Sequence, residues 1–248
     1  MHEKEIFGSC AYGPHRPGAA AGGERRRRQM RQNLTWELNG TTLTISGSGD
    51  MYDYYSYEDP WGSTVETVVF SADMTSIGNY AFQGTGLTEV TIPEGVTKIG
   101  KTAFYNCVSL QAVSLPSTLK TIGEDAFKHT GLTSVAIPGG VTAIGASAFR
   151  DCQNLAAVTI ASGANKSIKG NAFYDCGSLT TVTLGSGVTT IGNYAFQNCD
   201  LTEISIPASV TSIGDSAFYI IRIWRPSRSW TARTTQPSKN SLLKTASV

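Results

Sequence analysis

The residues best suited to chemistry are four cysteines held at one recurring position. Cys107, Cys152, Cys176 and Cys199 each follow a phenylalanine by three residues; Thr85 and Thr130 fill the same slot elsewhere, and Ile221 fills it last. Thiols so placed could ligate a metal, pair as disulfides or attack a substrate. Zinc ligation asks for closely spaced Cys/His pairs, and the chain has none. If successive slots stack one strand spacing apart, their Cβ vectors run parallel at about 4.8 Å. That is wider than the roughly 3.5–4.5 Å a disulfide needs. The spacing therefore favours a buried column of small thiols, with Cys10 outside the pattern. His2, His15 and His129 are the only histidines, so no Ser/His/Asp or Cys/His relay can be assembled. Glu124 and Asp125 fall in a turn and read as solvated charges, while Asp50 and Asp53 lack the spacing of a calcium loop. The expectation is a protein without a catalytic site, cofactor or metal.

A repeat positions these cysteines. An Ala-Phe pair recurs, ending at Phe82, Phe104, Phe127, Phe149, Phe173, Phe196 and Phe218, with spacings of 22, 23, 22, 24, 23 and 22 residues. So regular a period means a solenoid, in which each coil buries its apolar face only against its neighbours. One coil reads Leu87-x-x-Val90-x-Ile92-Pro93, then Val96, Ile99-Gly100, Ala103-Phe104 and Cys107. The frame also fits Val65/Val68/Phe70, giving seven coils. Val90 and Ile92 alternate, so both point to one side of a short strand, which Pro93, Pro116, Pro138 and Pro207 end. Gly78, Gly100, Gly123, Gly145, Gly192 and Gly214 follow the second Ile and are expected in a turn with positive φ. The fifth coil carries one extra residue within 161–165, read as a loop bulge.

Ahead of the repeats, Trp36/Leu38 and Leu43/Ile45 alternate around Asn39-Gly40 and predict a hairpin. Four segments result: a basic leader over 1–32, disordered or non-native; a capping hairpin with an aromatic, acidic loop over 33–64; the seven coils over 65–219; and an irregular basic tail over 220–248. In mid-coil after Tyr219 the expected polar-Cys pair gives way to Ile220-Ile221 and arginine-rich text, which reads as a frameshift, a truncation or disorder. Ile220, Ile221, Ile223 and Trp224 are candidates to cover the last coil; left uncovered, that end would associate end to end. The net charge is +1, but residues 33–218 hold 7 Lys+Arg against 16 Asp+Glu, while the two flanks hold 13 against 3. No apolar run reaches membrane-spanning length, and residues 1–32 lack the apolar stretch of a secretory signal.

The full sentence Leu-x-x-Val-x-Ile-Pro-x-x-Val-Thr-x-Ile-Gly-x-x-Ala-Phe-x-x-Cys, kept over seven coils, resembles the BspA-like leucine-rich repeats of surface proteins. The segment with Leu34-Thr35-Trp36-Glu37-Leu38 looks like the lead-in common in that family. The resemblance implies a leucine-rich-repeat solenoid: a right-handed superhelix of short coils with a stacked parallel β-sheet and short helical or irregular turns, under an N-terminal β-hairpin cap. It further implies an extracellular or cell-surface adhesion module binding a protein on a host or neighbouring cell.

Two surfaces are candidates for that binding. The outward strand face carries Thr67, Glu89, Thr91, Ser114, Ser134, Thr159, Thr181, Thr183, Glu203 and Ser205; its small hydroxylated side chains equally suit a solvated strand. The loop with Tyr52, Tyr54, Tyr55, Tyr57 and Trp61 offers either an aromatic patch for a protein or sugar, or rings covering the first coil; the covering role is favoured. Other readings are a structural spacer from a longer repeat protein and a nucleic-acid or anionic-surface binder. The latter would use Arg25–Arg28, Arg31, Arg222, Arg225, Arg228 and Arg233, with Trp224 and Trp230 for stacking. The acidic body opposes it. The expected assembly is a monomer or an end-to-end chain.

Overall fold

The computed structural model describes residues 26–31, 33–163, 165–219 and 231–234. Cys10, Ile220, Ile221, Ile223, Trp224, Trp230, Arg222, Arg225 and Arg228, on which expectations were placed, lie outside them. The chain winds as a parallel β-solenoid of seven turns. The helix among the described residues is a single 3-10 turn, Gly62–Thr64.

The hairpin strands behave as their alternation predicts, and a further strand precedes them. Strand β1 (Arg26–Arg31) pairs antiparallel with β2 (Leu34–Asn39), and β2 pairs antiparallel with β3 (Thr42–Asp50). Asn39 faces Thr42, so the β2–β3 loop is Gly40-Thr41, with Gly40 at φ 60°. A glycine at that first central position is what a II′ hairpin asks for. Strand β3 then runs parallel to β4 (Thr67–Ile77), joining the hairpin to the first coil.

Two strand ladders stack along the solenoid, where one sheet was expected. The Val-x-Ile segments form one ladder in pieces: Glu89–Thr91 with Ala112–Ser114; Ser134–Ile137, Ala157–Ile160 and Thr181–Leu184; and Glu203–Ile206 with Thr231–Thr234. The segments ending at the second Ile form a longer one. From β4 it runs through Lys98–Ile99, Thr121–Ile122, Ala143–Ile144, Lys166–Ile168 and Val188–Ile191 to Ser212–Ile213. The physical reason is that Thr-x-Ile also alternates. Once coils stack in register, any extended piece meets its own copy at pairing distance. β1 and Thr231–Thr234 both lie in segments that were assigned no regular structure.

A third ladder is made by the Ala-Phe corner. Phe82 N–H donates to Ala103 O at 2.8 Å, Phe104 to Ala126 at 2.8 Å and Phe149 to Ala172 at 2.8 Å. Flanking the phenylalanines are two columns of left-handed residues, among them Tyr80, Thr102, Asp125 and Ser147 before the ring and Asn106, His129, Asp151 and Asp175 after it, with φ of 52–60°. Their N–H groups also reach the next coil, as Tyr80 does to Lys101 O and Asp151 to Tyr174 O. Left-handed φ falls on these side-chain-bearing corners, and Asn and Asp tolerate it best.

The glycine column needs a different account from the one its sequence suggests. Gly78, Gly100, Gly123, Gly145, Gly192 and Gly214 are not among the positive-φ residues. They are glycine because neighbouring backbones touch there: a Cβ on Gly145 would stand 2.4 Å from Gly123 O, and one on Gly78 1.9 Å from Tyr52 O.

Inside, the seven phenylalanines form one stack. Successive centroids lie 5.1–5.4 Å apart with planes within 9° of parallel, an offset-stacked geometry set by the coil rise. The four repeat cysteines are free and buried. Each thiol donates to a phenylalanine carbonyl of the preceding coil, as Cys107 Sγ does to Phe82 O at 2.9 Å and Cys152 Sγ to Phe127 O at 3.1 Å. Thr85 and Thr130 share the column because their hydroxyls also satisfy a buried phenylalanine carbonyl, each at 2.9 Å. Burial pushes Cys107 up to about 11 and Cys199 up to about 12, leaving these two thiols protonated and poor nucleophiles.

The fifth coil absorbs its extra residue with a buried lysine. Lys166 occupies the slot of Val188 in the neighbouring coil, where the register shifts by one, and is 1% exposed. Its ammonium donates to Gly139 O at 2.6 Å, Val141 O at 2.7 Å and Pro138 O at 3.2 Å. Desolvation lowers its pKa, and the three carbonyls are what make a buried charge tolerable without a carboxylate partner.

Candidate partner-binding faces

All ten residues proposed from the strand face are exposed. The registers set them in two rows, because Val90, Val135, Val158 and Ile204 turn inward between them. Glu89 neighbours Ala112, and Ser134 neighbours Ala157, which in turn neighbours Thr181, in the first row. Thr91 neighbours Ser114, and Ala136 neighbours Thr159, which in turn neighbours Thr183, in the second. Val69, 43% exposed, stands at the start of the second row. By register Arg233 of the tail strand continues it beyond Ser205. The face offers hydroxyls and main-chain-like smoothness rather than large anchors, a surface read by shape over several coils.

The aromatic loop does not present its five rings together. Trp61 is 3% exposed; its ring lies 5.8 Å from Phe82, its Nε1 donates to Ala81 O at 2.9 Å, and Trp36 and Tyr54 pack edge-on against it. These rings continue the phenylalanine stack and close the first coil. Tyr55 and Tyr57 stay outside, 72% and 65% exposed, and Tyr52 lies at the margin at 37%. Tyr57 holds φ 57°, a strained choice for a bulky residue, with its N–H on Gln83 Oε1 at 3.2 Å.

Asp59 ties this cap together and makes it sensitive to pH. Its Oδ2 accepts from Gly62 N–H at 2.7 Å, yet burial outweighs that bond and pushes the carboxyl up from 3.8 to about 6. Burial, and then the charge of Asp59, push the Tyr54 hydroxyl upward in turn. A carboxyl raised in the folded state binds its proton more tightly there than in the unfolded chain. Its contribution is full below pH 3.8 and is lost as pH rises through about 6. Asp59→Asn keeps an acceptor for Gly62 and removes the charge. Melting temperature should rise by roughly 2–4 °C at pH 7.5 and change little at pH 4. A loss at both pH values would mean that the hydrogen bond outweighs desolvation.

Sequence reasoning missed the turn surface. There Lys128 lies 5.6 Å over Tyr105 and pairs with Asp125 at 3.5 Å, while Arg150 lies 4.8 Å over Tyr174 and pairs with Asp151 at 3.3 Å. The signal available was the column directly after each phenylalanine, Gln83, Tyr105, Lys128, Arg150, Tyr174, Gln197 and Tyr219. His129, beside it, is exposed, whereas the thiols are buried. Among the described residues no group of three or more His, Cys, Asp and Glu is placed to hold a metal ion, and no helix is long and apolar enough to cross a membrane.

A stack of short parallel coils with an aromatic ladder, a hairpin lid and an outward hydroxylated face defines a leucine-rich-repeat solenoid. The BspA type leucine rich repeat region matches residues 61–166 and 159–227 in six copies, and the chain belongs to that family. No curated protein matches it. Similar solved structures include a leucine-rich repeat protein from Bacteroides ovatus, at 23% identity over 76% of this chain and 61% of the other (TM-score 0.34). A leucine rich cell surface protein from Faecalibacterium prausnitzii is 18% identical over 92% and 99% (TM-score 0.35), and the Treponema pallidum leucine rich repeat protein (T. pallidum TpLRR) is 22% identical over 68% and 87% (TM-score 0.41). This chain thus spans about three fifths of the length of the first of these.

Proposed function

We propose that this chain is a non-catalytic protein-binding module of a secreted or cell-surface protein, engaging its partner along the exposed strand face. The observation that carries the reading is the two-row array. Thr67, Glu89, Thr91, Ser114, Ser134, Thr159, Thr181, Thr183, Glu203 and Ser205 are all outward and kept in step by the pairing registers. Such a face recognises a partner through many small contacts, since none of these ten side chains is an aromatic or arginine anchor of the kind compact hot spots use. Tyr55 and Tyr57 supply such anchors at one end of the solenoid. Adhesion to a host or neighbouring cell is the use to which this architecture fits best, and membership of a surface-protein family supports it.

The test uses the labelled full chain on intact cells. Saturable, protease-sensitive binding is expected, weakened about tenfold, or 1.4 kcal/mol, by Thr159→Arg in the middle of the face. Thr142→Arg, exposed next to the other sheet, should leave it unchanged. An equal loss from both variants, or no saturable binding at micromolar concentration, would leave the spacer reading in possession.

A further inference from the structure

The acidity of the repeat body is confined to one end. Residues 33–97 hold nine Asp and Glu and no Lys or Arg, whereas residues 98–218 hold seven of each sign. Strand β2, with Glu37 at its middle, lies in that acidic third, and beyond it the long sheet ends in β1, whose sequence is Arg-Arg-Arg-Gln-Met-Arg. The pairing is antiparallel, with Arg26 opposite Leu38, Arg27 opposite Glu37 and Arg28 opposite Trp36. Opposite charges directly across an antiparallel pair favour it, and like charges oppose it. The contact is also imperfect, since the register slips between Gln29 and Arg31, a bulge of the kind that ends pairing at an edge.

We propose that the outer edge of β2 is an acceptor site for an extended arginine-rich peptide of another protein, with the chain's own β1 as the resident competitor. Main-chain hydrogen bonds of the added strand supply affinity, as in other cases of strand addition. The cation-free field of nine carboxylates selects arginine-rich sequence over neutral or acidic strands. Because β1 fills the edge in cis, a peptide in trans binds only the fraction of molecules whose arm has left, and its apparent affinity falls by that fraction. This site stands at the end of the solenoid and is independent of the strand-face reading.

The probe is a fluorescent peptide with the sequence of residues 25–32, titrated by anisotropy into the full chain. Arg27→Glu puts like charges opposite each other and loosens the arm, so the peptide should bind this variant about tenfold more tightly than the parent chain. Arg27→Glu with Glu37→Lys restores opposite charges across the cis pair and removes one carboxylate from the edge, so the gain in peptide affinity should be lost. Affinity should fall steeply with salt. A peptide N-methylated at alternate residues keeps its charge but not its donors and should bind at least tenfold more weakly. Equal binding of the N-methylated peptide, or equal affinity of the parent and Arg27→Glu chains, would overturn strand addition. Dimerisation of Arg27→Glu seen by light scattering, with no peptide uptake, would assign the edge to a second copy and overturn the proposal as stated.

Discussion

Replacing Phe149 by alanine is expected to cost roughly 3–5 kcal/mol of stability. Phe149 is fully buried and stacked on both sides, 5.2 Å from Phe127 and 5.2 Å from Phe173. Truncation therefore removes two ring contacts and leaves a gap between coils whose spacing three backbone ladders hold fixed. The walls of that gap cannot collapse without breaking ladder bonds, which places the cost toward the upper end for a core cavity. Phe218 stacks on Phe196 at 5.4 Å and is 6% exposed, so Phe218→Ala should cost less. Urea unfolding of the two variants measures both values. Equal costs would show that burial alone matters and that the stack adds nothing. A second unfolding step in Phe149→Ala would show that the two halves of the solenoid have come apart.

What could be read from the sequence was whatever repeats with a fixed letter. The seven phenylalanines, the inward Val-x-Ile pairs and the hairpin around Asn39-Gly40 each carry their reason in residue type and spacing. The corner geometry was harder, because two columns of left-handed residues are filled by Tyr80, Thr102, Asp125, Ser147, Asn106 and His129, with no one residue type in common. The mixture of Asn, Asp and Gly in the slot after the ring was the available signal. The role of Cys107 and Thr85 as donors to a phenylalanine carbonyl was visible only as a Cys/Thr alternation, since both use Phe82 O, which belongs to the coil of Thr85 and to the coil before that of Cys107. Lys166 was invisible for the same reason: its three carbonyl partners lie 25–28 residues away. Of the candidate site, the strand face was legible by alternation alone. The aromatic loop was not, because whether a tyrosine covers a coil or faces water depends on the path of the chain.

Gly123→Ala is expected to destabilise the protein by about 3 kcal/mol, at the high end for overpacking, although alanine is ordinarily the easier residue to order. A Cβ there would lie 2.6 Å from Gly100 C and O and 2.7 Å from Lys101 N. All three are backbone atoms, so no side chain can swing aside. Nor can the coil retreat, because Gly123 N–H is bonded to Ile99 O at 2.9 Å and Gly145 N–H to Ile122 O at 2.9 Å. Gly40→Ala separates this cause from conformational freedom: Gly40 has φ +60° but nothing within 4 Å of its added Cβ, and should lose only about 1 kcal/mol. If Gly40→Ala proved the costlier of the two by urea unfolding, positive φ rather than space would govern these glycines. The fifth coil already contains the natural exception. Lys169 N–H bonds Ile144 O at 3.0 Å, the place glycine takes in the other coils, and this is the coil that carries the extra residue and the shifted register. A side chain enters the column only where the backbone has already been moved to admit it.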